Sequence, residues 1–185
     1  SLAMFKTLEF KAGLNVLIAK KEAGATDKQT RNRAGKTSLI EIVHFLTGAD
    51  VGKDSLFRSD KLLNESFGMA FDLGNEKLQV ERSGHQKSKI HIEADSFLNG
   101  KTNPSNSEWT EVLGEKMFRL NEMPELEGRV PTFRSLFSYF VRRQLSGAFT
   151  TPEKQANMQQ AGDYQVALLF LLGLSAPAQA QEQIV

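Results

Sequence analysis

Asn32-Arg33-Ala34-Gly35-Lys36-Thr37-Ser38 decides how this chain is read. The apolar run 14–19 precedes it and the apolar run 39–46 follows it. A strand-like run, a polar turn carrying Gly-Lys-Thr and a helix-like run in that order make a phosphate-binding loop. Gly35 lets the backbone approach phosphate oxygens, and the N–H groups at the helix start point at the anion from the positive end of the helix dipole. Lys36 is placed to reach the β- and γ-phosphates, and Thr37 Oγ to ligate Mg²⁺. The residues predicted to line a nucleoside triphosphate and its Mg²⁺ are therefore Asn32, Arg33, Ala34, Gly35, Lys36, Thr37 and Ser38.

The loop departs from the usual G-x-x-x-x-G-K-[ST], since Thr30 occupies the first glycine position. Residues 20–31 form a link holding Gly24, Asp27, Lys20, Lys21, Lys28 and Arg31, the composition of a surface loop. A bare GK[ST] arises often by chance, whereas one framed by two apolar runs of the right length does so much less.

The remaining composition narrows the class. With 185 residues the chain suits one domain or one lobe of a larger one. A net charge of +1 provides no global field toward nucleic acid or anionic lipid, so any such contact must come from a local patch. The absence of cysteine excludes disulfides, thiolate zinc sites and cysteine nucleophiles, and fits a reducing cytoplasm. The longest apolar run, 166–172, is far too short to cross a bilayer, so no membrane partner is expected.

Patterning outward from the loop predicts two short strands, 7–10 and 14–19, joined at Gly13, and a helix 37–46 closed by Gly48. His44 reads as a packed histidine. Phe67, Met69 and Phe71, then Leu78 and Val80, then Ile90 and Ile92, alternate with polar residues. With Gly74-Asn75, Ser83-Gly84-His85 and Asn99-Gly100 as turns, they predict an antiparallel meander over about 66–101. Ser105 and Glu108 form a capping box for a helix whose core face is Trp109, Val112, Leu113, Met117 and Leu120. A segment 134–143 mixes aromatics with three arginines, and a last element spans 163–172, ended by Gly173. Residues 175–185 turn polar and Ala/Gln-rich, as in a linker or the start of a coiled coil.

Gly13-Leu14-Asn15-Val16-Leu17-Ile18-Ala19, then residues 32–38 and 39–46, resemble the N-terminal half of an ABC-type ATPase head of the SMC, RecF and RecN kind. The link Thr26-Asp27-Lys28-Gln29-Thr30-Arg31-Asn32-Arg33 is similar to that of the YydD-like bacterial coiled-coil ATPases. So are Thr132-Phe133-Arg134-Ser135-Leu136, Tyr139-Phe140 and Arg142-Arg143. Some of these ATPases belong to ABC-three-component systems. The resemblance implies an α/β P-loop NTPase lobe over 1–174 with a mixed sheet, a P-loop helix, a β-meander subdomain and a helical part from about 105 to 174. Arg33 stands where the SMC pattern usually has glycine, which bears on the space over the γ-phosphate.

The resemblance further implies a Q-loop glutamine touching Mg²⁺ and the attacking water. Phe140-Val141-Arg142-Arg143-Gln144 is its best match, making Gln144 the catalytic and metal candidate; the alternative is a surface glutamine beside a structural arginine pair. Leu145-Ser146-Gly147-Ala148 mimics the LSGG signature but lacks a Walker B strand behind it. Gly68-Met69-Ala70-Phe71-Asp72 has the form of a Walker B strand, yet its alternation favours a solvent-faced meander strand. The implied partners are the chain's own C-terminal half through a coiled coil, a second head engaged through ATP, and DNA, in repair or defence. DNA contact rests on Arg134, Arg142, Arg143 and the cationic residues of 20–33, for which the phosphate groups of ATP are the equal alternative. Two readings of other classes stand beside it: a self-contained kinase or GTPase-like switch using Asp72, and a nucleotide-free interaction domain with a degenerate loop.

Overall fold

The computed structural model describes residues 7–18, 36–93, 100–122, 130–144 and 146–174. Its centre is a single helix, α1 (Lys36–Leu46), in which nearly every side chain after the first turn is apolar. Such a helix must be covered on most sides. It ends where expected: Gly48 takes φ +89, and the N–H groups of Gly48 and Ala49 bond back to Phe45 O and His44 O. A Cβ on Gly48 would lie 2.3 Å from Thr110 Cγ2, so the close approach of the next helix also requires glycine there.

A three-stranded antiparallel sheet covers one side of α1: β1 (Ser66–Leu73), β2 (Glu76–Ser83) and β3 (His91–Glu93), in that order. The predicted hairpin turn is Gly74-Asn75, with Gly74 at φ +63 and Leu73 paired to Glu76. Burial alternates along every strand, and Leu78, Val80 and Ile92 carry the inner face. After Gly100 (φ +81) the chain returns beside β3, where Ile92 N–H and Ile90 N–H bond to Thr102 O and Pro104 O. Residues 94–99, with Asn99 of the predicted Asn99-Gly100 turn, lie outside the described residues. Gly84, inside its predicted turn, is pressed against the backbone of the 3₁₀ turn Leu56–Arg58. A Cβ there would fall 1.7 Å from Phe57 O.

Three further helices close the core. α2 (Asn106–Phe118) opens on the predicted capping box, with the Ser105 side chain on Glu108 N–H and the Glu108 carboxylate on Ser105 N–H. Lys101 beside it holds the Glu108 carboxyl down to about 2. Trp109 and Leu113 are buried as predicted, whereas Met117 faces solvent at 42% exposure because α2 ends one residue later. Arg119 then takes the left-handed φ of +55, and the 3₁₀ turn Leu120–Glu122 folds Leu120 back over Gly114. α3 (Phe133–Phe140) carries its own capping box between Thr132 and Ser135, and Phe133 and Phe137 stack at 5.1 Å. α4 (Ala161–Leu171) packs on α3 and ends at Gly173, φ +71.

The N-terminal expectation is corrected. Residues 7–18 contain no strand, and Leu14, Val16 and Ile18 are 92%, 68% and 71% exposed. A strand exists only where a neighbour takes its N–H and C=O groups, and no described strand lies beside this segment. Its local order is instead a turn at Gly13 (φ +90), held by the Asn15 side chain on both the N–H and the C=O of Lys11. The sheet among the described residues is therefore antiparallel throughout, not mixed. Residue 19 and the linker or coiled-coil start at 175–185 lie outside the described residues.

Candidate functional site: the anchored α1 helix

The C-terminal end of α1 exposes carbonyls that no helical N–H can satisfy. Here side chains from three other elements take them. Arg82 of β2 donates from Nη1 to Phe45 O and to Ala49 O at 2.9 Å, while its Nε donates to Lys87 O at 3.1 Å. Trp109 Nε1–H donates to Leu46 O at 2.9 Å, and Asn106 Nδ2 to Gly48 O at 3.0 Å, both from α2. Arg134 of α3 donates from Nη1 to Thr47 O and Thr47 Oγ1. A guanidinium at this end also meets the negative pole of the helix dipole. Burial still pulls both Arg82 and Arg134 down to about 10, the first against Asp50, the second with Arg143 adding its own positive charge.

His44 completes the network. Its Nε2 lies 2.7 Å from Val141 O, which can only accept, and its Nδ1 lies 2.6 Å from Arg134 Nη2, which can only donate. The ring is therefore the neutral Nε2–H tautomer. Burial, then the guanidiniums of Arg143 and Arg134, push His44 down to about 4. The unfolded chain, with an ordinary histidine near 6.5, takes up the proton first as pH falls. Stability carried by neutral His44 is thus complete above about pH 6.5 and is lost as pH falls toward 4. We expect a loss on the order of 2 kcal/mol across that window. Thermal unfolding at pH 7 and pH 5 should show a steeper fall in Tm for the native chain than for His44→Gln. Equal slopes would reject the assignment.

At its other end, α1 is described from Lys36, over the predicted helix 37–46, with Thr37 exposed and Ser38 half-buried. Thr30, Asn32, Arg33, Ala34 and Gly35 lie outside the described residues, as do the lysines of the link. The turn after α3 runs beside this helix. Val141 O is bonded to His44, and Arg143 Nη2 pairs with Glu41 Oε2 at 3.2 Å. Glu41 is four residues beyond Thr37 and on the same helical face. Gln144, next to Arg143, is exposed. Two anchors thus tie the turn bearing Gln144 to the helix bearing Thr37, although the two residues are 107 positions apart.

The lookalike motifs fall into other roles. Asp72 sits at a solvent-facing position of β1 opposite Lys77. Ser146, Gly147 and Ala148 form part of a turn rather than a helix start: Ala148 N–H bonds to Arg143 O, and a Cβ on Gly147 (φ +79) would meet the Asn157 side chain. The arginines proposed for DNA are committed to internal partners. Arg134 serves His44 and Thr47, Arg143 pairs with Glu41, and Arg142 donates to Ala148 O and Pro152 O. Each of the three thus has at least one partner within the chain, on backbone or on a side chain distant in sequence. Among the described residues, no group of three or more His, Asp or Glu side chains is arranged to hold a metal ion. No helix among them is long and apolar enough to cross a membrane.

The His44–Arg134–Thr47 network had no sequence signal, since Arg134 lies 90 residues from His44. Comparison with protein-family models, curated proteins and solved structures returned no match.

Proposed function

We propose that this chain is an ATP-binding lobe of the SMC/RecN-like ATPase type, with the turn around Lys36 cradling the polyphosphate and Thr37 contacting Mg²⁺. The observation that carries the reading is α1 itself: the helix Lys36–Leu46 follows Gly35 in the sequence, and its far end is fixed by three elements. A helix clamped in that way holds its first-turn N–H groups rigidly toward an anion, which is what phosphate binding by backbone requires. The tether of the Gln144 turn to α1 through Arg143 and His44 supports Gln144 as the residue that follows Mg²⁺ and the attacking water.

In this reading the acid that holds Mg²⁺ and the signature motif come from the chain's own C-terminal half, reached through a coiled coil. ATP then joins two heads by contacts made only in the engaged state. The setting is cytoplasmic, in DNA-related or defence processes. DNA contact falls to the cationic link 20–33, since the arginines of α3 and the turn after it have other partners.

Lys36→Ala should lower the affinity for Mg-ATP at least about tenfold, roughly 1.4 kcal/mol, with the unfolding transition unchanged. Isothermal titration of both proteins reads this directly. Equal affinity in the two would remove the phosphate loop from the account, and no binding by the native chain would favour the degenerate-loop interaction domain.

A further inference from the structure

Glu41 is the only carboxylate of α1, and its side chain is 23% exposed, between the buried His44 and the exposed Thr37. Thr37, Glu41 and His44 are spaced by four and three residues, so they form one stripe along the helix. The segment after α3 meets that stripe at two points. Val141 O accepts from His44 Nε2 at 2.7 Å, and Arg143 Nη2 pairs with Glu41 Oε2 at 3.2 Å. The contacts step toward the start of α1. From His44 to Glu41 is about 4.5 Å of helix, and Thr37 is about 6 Å further along. Gln144 follows Arg143 directly and is exposed.

An ion pair this accessible adds little to stability. Its consequence is positional. The bond at His44 fixes one point, about which the turn can swing, and the second contact fixes its direction. Past Arg143 the chain closes on itself through Ala148 N–H on Arg143 O and Gly147 N–H on Gln144 O, so a hold on Arg143 is also a hold on the backbone of Gln144. Arg134 feels the same carboxylate, but its fork is spent on His44 and Thr47, which leaves Glu41 to Arg143.

We infer that Glu41 is a positioning residue for Gln144: through Arg143 it holds the 141–144 turn along α1, so that Gln144 stands over the first helical turn, where Thr37 meets Mg²⁺. The role rests on the nucleotide site proposed above for Lys36, Thr37 and Gln144. It adds that a side chain touching neither nucleotide nor metal sets the contribution of one that does.

Isothermal titration of the full chain with ATP, in the presence and absence of Mg²⁺, reads this role. Gln144→Ala should weaken Mg-ATP binding about fivefold, the worth of one hydrogen bond, and leave metal-free ATP unchanged. Glu41→Gln should reproduce that loss, again only with Mg²⁺. The double variant Glu41→Gln/Gln144→Ala should be no weaker than Gln144→Ala alone, because Glu41 acts through Gln144. Arg143→Gln should show the same loss and Arg143→Lys, which keeps the pair, should bind within about twofold of the native chain. A direct field effect on Mg²⁺ would act in opposite senses, since Glu41→Gln removes a negative charge and Arg143→Gln a positive one. Opposite effects would therefore overturn the inference, as would losses that multiply to about 25-fold in the double variant or native affinity in Glu41→Gln. If Glu41→Gln does not fold, the Arg143→Gln and Arg143→Lys pair carries the test alone. Lys36→Ala keeps the two failures apart. Where Lys36→Ala and Gln144→Ala weaken Mg-ATP and Glu41→Gln does not, the nucleotide site stands and the positioning role falls. Where Lys36→Ala binds like the native chain, or the native chain does not bind, both fall.

Discussion

Arg82→Met is expected to destabilise the fold by about 3–4 kcal/mol. The usual argument points the other way, since a buried ion often can be replaced by a hydrophobe of similar volume at no loss. That argument assumes that the ion's partners leave with it. The partners of Arg82 are backbone carbonyls of Phe45, Ala49 and Lys87, and they stay. Each buried acceptor left without a donor costs about 1–3 kcal/mol, and water has poor access where Arg82 is only 3% exposed. Methionine keeps the packing on Phe45, whose ring centroid lies 4.5 Å from the guanidinium carbon, and so recovers part of the loss. Arg82→Lys tests geometry separately from charge, because an ammonium cannot reach three carbonyls through a planar fork. Urea unfolding of the three proteins gives the answer. A loss below about 1 kcal/mol for Arg82→Met would show that the carbonyls find other donors.

Arg82 also marks where sequence reading ends. Position 82 falls on the inner face of a period-two strand, the same side as Leu78 and Val80. Little that is local says that an arginine will be accepted inside, because two of its three carbonyl partners are 33 and 37 residues away. Local chemistry was legible where it closes locally. The Ser105–Glu108 box, the Gly74-Asn75 turn, the Gly48 stop and the packed His44 all depend on neighbours within four residues or on burial pattern alone. The strands expected at 7–10 and 14–19 have good strand composition, but a strand is a property of pairs, and composition cannot supply the partner. Met117 was misplaced for a related reason: helical spacing put it on the core face, and the helix stopped before that face could be covered. Of the candidate site, Lys36 and Thr37 were readable as a motif. The tether that brings the Gln144 turn to the same helix was not, because Arg143 and Glu41 are 102 residues apart.

Trp109→Ala should cost about 3–5 kcal/mol, comparable to the whole stability margin of a small domain. The indole is fully buried, contributes the largest side chain to the core, and gives its N–H to Leu46 O. Removing it opens a cavity beside Phe45 and Leu46 and leaves one more α1 carbonyl unsatisfied. Trp109→Phe divides the two contributions: most of the volume remains, and the missing bond alone accounts for about 1 kcal/mol or more. Denaturant titration by circular dichroism measures both, since the only tryptophan is the residue being changed. The effect on nucleotide is expected to be of a different kind. Trp109 grips α1 about 15 Å from Lys36, by the 1.5 Å rise of ten helical residues. Trp109→Phe, folded at low temperature, should still bind Mg-ATP within about twofold of the native chain, because Arg82 and Arg134 continue to hold the same end of α1. A larger loss of affinity would show that Trp109 alone sets the position of the first turn, and that the helix carries a shift at one end to the other.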